Sequence, residues 1–148
     1  MNKIKTLTVI VAIAVMTISF CSCGNNSSSI YPKGNDSVEA YFEKNNSELK
    51  ALERTIKDAS DKGMILEMSI EENNVTIAGK ATKTYDEETC KITEKNYEAD
   101  VNKTRSTMKK IQRSISQVTG IDEEKINVTI EIYNGDGTEV WEHKYSER

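Results

Sequence analysis

The stripe Tyr97, Val101, Thr104, Met108, Ile111, Ile115 and Val118 recurs at steps of four and three residues, and it constrains the fold more than any other feature of the chain. That spacing puts every member on one side of a straight α-helix, a face too apolar to leave in water. Gly120 ends it, because glycine readily takes the left-handed conformation that closes helices. The surface such a helix needs is encoded nearby. Met64, Leu66, Met68 and Ile70 alternate with Ile65, Glu67, Ser69 and Glu71, the period of a half-buried strand. Ile126, Val128, Ile130 and Ile132 alternate likewise with Asn127, Thr129, Glu131 and Tyr133. The stripe would also suit a coiled-coil dimer, but a sheet in the same chain requires just such a face to cover it.

Turn residues divide the rest. Asn73-Asn74 offers a two-residue hairpin, and pairing Glu72 with Val75 sets Ile70 against Ile77, Met68 against Gly79 and Glu67 against Lys80. Asn134-Gly135-Asp136-Gly137 marks a second hairpin; any even-length loop gives the same facing, and a four-residue loop pairs Ile130 with Trp141, Val128 with His143 and Ile126 with Tyr145. Upstream, Val38, Tyr41, Phe42, Leu49, Leu52, Ile56 and Ala59 recur at helical spacing behind Asp36 or Ser37 as a cap, with Glu39 able to close a capping box with Asp36. Asn45-Asn46-Ser47 interrupts this stripe, so one long helix and two shorter ones are both open, and Gly63 ends either. Thr84 with Glu87, or Asp86 alone, caps the second helix. The expected fold is α+β: two helices packed on one face of a four-stranded antiparallel sheet, in the order α-β-β-α-β-β. Gly63-Met64 and Gly120-Ile121 fall at matching points of that order, which hints at a degenerate internal duplication.

The first residues follow different rules. Lys3 and Lys5 precede Leu7 to Phe20, 14 uncharged and largely apolar residues. A membrane-spanning helix needs about 20 such residues, so the run fits a signal peptide over residues 1–22 instead. It ends in Phe20-Cys21-Ser22-Cys23-Gly24, which resembles the lipobox cut by lipoprotein signal peptidase just before a diacylated cysteine. Cys23 is the candidate lipidation site because small Ser22 precedes it, whereas bulky Phe20 precedes Cys21. The pattern departs from the usual one at Phe20 and Cys21, and an ordinary secretory cleavage leaving Cys23 as a free thiol is the competing reading. Residues 23–36, rich in Gly, Asn and Ser and holding Pro32, read as a flexible tether of roughly 20 Å. Residues 37–148 are then one domain.

Processing would discard Cys21, Lys3 and Lys5, leave Cys90 as the only cysteine of the domain, and take the formal charge from -4 to -6. No internal disulfide is then available. The acidic balance also argues against nucleic acid and anionic lipid headgroups as partners.

Little in the domain suggests chemistry. His143 is the single histidine, so Ser-His, Cys-His and multi-histidine zinc sites lack a member, and a lone strand histidine reads as packed or edge-exposed. Cys90 extends the second helix's apolar stripe and reads as core, with Asp86, Glu87 and Glu88 opposing thiolate formation. Asn134 to Glu139 fails as a calcium loop, because placing Gly137 at the invariant sixth position puts Ile132 where the first acidic ligand belongs. The runs Asp86-Glu87-Glu88 and Asp122-Glu123-Glu124 read as solvated caps rather than cation sites. Trp141, Tyr133 and Tyr145 would form a sugar or peptide platform only if they shared a face. Strand parity separates Tyr133, a possible surface contact, from Trp141 and Tyr145, which turn to the core. No cofactor or metal is implied.

From Ser37 on, the chain resembles an uncharacterised domain carried by small lipoproteins of Gram-positive bacteria. The likeness rests on Ser37-Val38-Glu39-Ala40-Tyr41-Phe42, Gly63-Met64, Thr119-Gly120-Ile121-Asp122 and the run from Asn127 to Thr138. Asn45-Asn46-Ser47 and Cys90 depart from the pattern. The resemblance brings no assigned activity and hence no catalytic residues. Together these readings predict a lipoprotein on the extracellular face of the cell membrane, held by a diacylglyceryl anchor and binding a protein, peptide or cell-wall ligand rather than acting as an enzyme. The alternative is a small envelope enzyme or enzyme inhibitor using Cys90 or carboxylates. A transporter's solute receptor, with two lobes around a cleft, would not fit in one domain of this length.

Overall fold

Ser37 opens the first helix in the computed structural model, which describes residues 36–60 and 63–146. Its Oγ accepts the Ala40 N–H at 3.1 Å, pairing one of the donors a helix start leaves free. Helix α1 (Val38–Lys44) and helix α2 (Asn46–Asp58) are separate, because Asn45 leaves helical geometry at φ -119°, ψ 50°. Its Nδ2 donates to the Tyr41 carbonyl at 2.9 Å, stabilising the break that the sequence left open. Glu39 does not close a box with Asp36; its Oε2 accepts the Glu72 N–H across the fold at 2.8 Å.

That long-range bond corrects the first hairpin. Strands β1 (Met64–Glu71) and β2 (Asn74–Ala81) pair Glu71 with Asn74, Ile70 with Val75, Met68 with Ile77 and Leu66 with Gly79. The turn is therefore Glu72-Asn73, and each β1 residue meets a partner two positions earlier than expected. The cause lies in α1: Asn73 Oδ1 accepts the Val38 N–H at 2.9 Å, and Glu39 N–H donates to the Glu72 carbonyl at 2.9 Å. Glu72 is drawn into the left-handed region at φ 51° to meet these partners. A slip of two residues leaves the inward and outward faces unchanged.

The second helical segment also divides. Asp86 is its cap, accepting the Thr89 N–H at 2.8 Å, and the segment breaks at Asp100 into helix α3 (Glu87–Ala99) and helix α4 (Val101–Thr119). An unbroken helix would run about 50 Å, roughly twice the length of a seven- or eight-residue strand. The break lets α3 lie over one edge of the sheet and α4 over its centre. Gly120, at φ 74°, closes α4 as expected.

After a 3-10 turn at Glu123–Lys125 come strand β3 (Asn127–Tyr133) and strand β4 (Glu139–Tyr145). The sheet order is β1-β2-β3-β4, and it is mixed rather than antiparallel, because β2 and β3 run parallel with Val75 beside Val128 and Ile77 beside Ile130. The α3–α4 crossover returns the chain to the end of the sheet where β2 began, the connection a parallel pair requires. In the second hairpin Ile130 faces His143, Ile132 faces Trp141 and Val128 faces Tyr145, again two positions from expectation. The loop spans residues 134–138, an odd length that would reverse the facing of β4. A bulge between Ile132 and Tyr133 restores it.

The architecture is thus α+β, with four α-helices among the described residues where two were expected. The inward residues Met64, Leu66, Val75, Ile77, Val128, Ile130, Ile132 and Trp141 are buried beneath them together with Phe42, Ile56, Met108 and Ile115. Gly79 belongs to this face because a Cβ there would stand 2.6 Å from Met64 Sδ.

Candidate functional site

Tyr133, the surface residue singled out by sequence, sits half-buried on the sheet face that the helices leave open. Its hydroxyl donates to Glu131 Oε2 at 2.8 Å, and that bond to a carboxylate, more than any burial, raises its pKa. The carboxylates of Glu131, Glu139 and Glu142 stand near it, and Lys80 is its cross-strand partner on β2. Trp141 and Tyr145 turn to the opposite face, so the three aromatics form no joint platform.

Trp141 instead packs in the core, its ring stacked on Tyr97 at 4.9 Å and on His143 at 5.7 Å. Its Nε1 donates to Glu98 Oε1 at 2.8 Å, which satisfies the indole at the edge of the cluster. His143 accepts the Arg105 Nε–H through Nε2 at 3.2 Å, so its proton sits on Nδ1. Burial and the Arg105 charge lower its pKa, while Glu98 pulls the other way. This is a packed, neutral histidine at the sheet edge.

Cys90 is half-buried in a small pocket with Ala81, Thr93, Ile132 and Val140. Burial first, then Asp136, Asp86 and Glu87, push its thiol pKa up, which suppresses the nucleophilic thiolate. Asp136 joins the opposing acids through the fold and was not visible from the helix sequence alone. Asp86 is occupied as a helix cap, Asp122 pairs with Lys125 at 2.9 Å, and Glu123 pairs with Arg113 at 3.4 Å. Among the described residues no three His, Cys, Asp or Glu side chains gather as metal ligands. The Asn134–Thr138 loop is structural: Asn134 Oδ1 accepts the Tyr85 N–H at 2.9 Å and Asn134 Nδ2 donates to the Tyr85 carbonyl at 3.0 Å. Gly135 is forced by the same contact, since a Cβ would come 2.4 Å from the Lys83 carbonyl carbon.

The feature sequence reasoning missed is a groove of about 330 Å³ between α1, α2 and the edge strand β1. Phe42, Leu49, Met68 and Ile70 line it with apolar surface, and Glu39, Glu43 and Glu53 are the charged residues on its walls. It lies where both helices meet β1 on either side of the break at Asn45. Each of those side chains belongs to a helical or strand stripe that reads as core. The available signal was the cluster of Glu39, Glu43 and Glu53 on the first helical segment, at successive intervals of four and ten residues around its apolar stripe.

β1 is an edge of the sheet as well as a wall of this groove. Leu66 N–H points away from β2, donating to Ser60 Oγ at 2.8 Å. An antiparallel strand turns alternate residues toward the same side, so the N–H and C=O groups of Met68 and Ile70 also face off the edge. Among the described residues no side chain is bonded to them.

Residues 38–145 match the family described as a domain of unknown function, DUF4854. The chain belongs to the DUF4854 family. That assignment bears out the resemblance to an uncharacterised domain, and the strands, helices and groove above are this DUF4854 domain's own. No curated protein and no solved structure matches the chain. Cys23, the expected signal segment and the expected tether up to residue 35 lie outside the described residues, and no helix among those described is long and apolar enough to cross a membrane.

Proposed function

We propose that this DUF4854 protein is a lipid-anchored interaction module on the extracellular face of the cell membrane, binding a protein, peptide or cell-wall ligand in the groove between α1, α2 and β1. The groove carries the reading: half-buried Leu49, Met68 and Ile70 offer apolar contact at a surface where the edge strand is uncovered. The anchor is read from the apolar run and the Ser22-Cys23-Gly24 cleavage pattern, with the tether lifting the domain from the lipid. The raised thiol pKa at Cys90 weighs against thiol catalysis.

Two measurements test this. Cys23→Ser should move the protein from the membrane fraction to the soluble one and abolish labelling by a clickable palmitate; unchanged membrane retention refutes the anchor. A photo-crosslinking amino acid at Glu53 should give a discrete adduct in intact cells, while one at exposed Lys103 on α4 should not. The groove reading fails if neither position, or both equally, yields the adduct.

A further inference from the structure

The partner chemistry of that groove follows from its charge and its open backbone, on the reading of the groove as a binding surface. We propose that the β1 edge takes up an extended cationic peptide segment as an added strand, with its basic side chains set against the groove's carboxylates and apolar ones against its floor.

Three observations meet at one place. The N–H and C=O groups of Met68 and Ile70 point off the edge, the arrangement onto which a peptide strand adds by main-chain bonds. The side chains of these same residues line the groove with Phe42 and Leu49, so alternate residues of an added strand would project over an apolar floor. The charged side chains lining the groove are Glu39, Glu43 and Glu53, with no Lys or Arg among the lining residues. The other face of β1 presents Glu67 and Glu71, so side chains on either face of an added strand meet negative charge. A second copy pairing through its own β1 would bring like charges together, which disfavours self-association and favours a basic segment.

The two sheet edges differ in a way that supports this assignment. β4 carries Lys144 and a bulge, devices that discourage strand addition. β1 has no Lys, no Pro and an unbroken register over eight residues, which leaves it receptive beside the groove.

The test uses residues 23–148 with Cys23→Ser and a fluorescent nonapeptide in which valine and lysine alternate in pairs, so that each face of the extended peptide carries both, read by polarisation. Saturable binding is expected, weakened about tenfold by Glu43→Lys with Glu53→Lys and weakened further by about 0.5 M NaCl. Methylating one set of alternate peptide nitrogens should abolish binding and methylating the other set should not, because only one edge of the peptide can bond β1. Equal binding of a valine–glutamate peptide, retained affinity in the charge-reversed variant, or indifference to both methylation patterns would each overturn the proposal. Binding that emerges only when residues 24–35 are deleted would assign the groove to the chain's own N-terminal segment and overturn it too. An adduct at Glu53 in cells without nonapeptide binding sinks the cationic-strand assignment and leaves the groove reading standing; absence of both the adduct and the binding overturns the groove reading and the assignment with it.

Discussion

Gln112 is fully buried on α4, and replacing it isolates what one polar side chain contributes to the core. Its Nε2 donates to the Glu123 carbonyl at 2.7 Å and to the Ile126 carbonyl at 2.8 Å, tying α4 to the 3-10 turn and the start of β3. Its Oε1 is buried without a partner, so the side chain carries a cost as well as a benefit. Gln112→Leu removes both donated bonds, about 1 kcal/mol each. The Glu123 carbonyl keeps a second donor, the Ile126 N–H at 3.0 Å. The Ile126 carbonyl loses the amide, a penalty of about 1–3 kcal/mol that removal of the unpaired Oε1 offsets by a similar amount. The net expectation is a loss of about 2 kcal/mol, or roughly 1 M in the urea midpoint at an unchanged slope. Gln112→Glu should be worse near neutral pH, where a buried carboxylate would face two carbonyl oxygens, and should recover as acid protonates it. In that variant the folded-state pKa lies above the unfolded one, so stability is regained as pH falls through the folded value. Equal or greater stability of Gln112→Leu in urea titrations would show that the two carbonyl bonds contribute nothing net.

Gly79→Ala should destabilise by about 1–3 kcal/mol in the same assay, because the new Cβ meets buried Met64 Sδ at 2.6 Å with Ile132 behind it. Asn134→Ala should cost about 2 kcal/mol by removing both bonds to Tyr85, and should free the last hairpin from the segment before α3, measured as faster amide exchange at Tyr85. His143 has a lowered folded pKa, so its contribution is complete above the ordinary value of 6.5 and is lost as pH falls through the folded value. The urea midpoint should therefore decline on that acid limb in the native chain and decline less in His143→Gln. Cys90 should react with a disulfide reagent more slowly in the folded chain than in urea at the same pH, as its raised pKa requires.

The sequence by itself determined which residues are strand and which are helix, and which side of each faces inward. Alternation at Met64–Ile70 and Ile126–Ile132 and the stripe through Met108, Ile111 and Ile115 are consequences of local geometry, so they survive any change of partner. The same parity put Tyr133 outside the core, whereas Trp141 reaches it only because the bulge offsets the odd loop. Gln112 was within reach too, lying four residues after Met108 and three before Ile115 on the buried side of α4.

What only the tertiary structure decided were choices that the local pattern leaves degenerate. Register slips of two residues keep every face intact, so Val38 and Glu39, distant in sequence, set the turn at Glu72-Asn73. The odd loop at Asn134–Thr138 was settled by the bonds of Asn134 to Tyr85, with a bulge absorbing the parity error. Strand direction in the β2–β3 pair followed from the α3–α4 crossover, and the break at Asp100 from matching helix length to sheet width. The groove at β1 belongs to the same class. Its carboxylates and apolar floor come from three elements, and only their packing leaves an edge strand, an acidic wall and an uncovered apolar surface side by side.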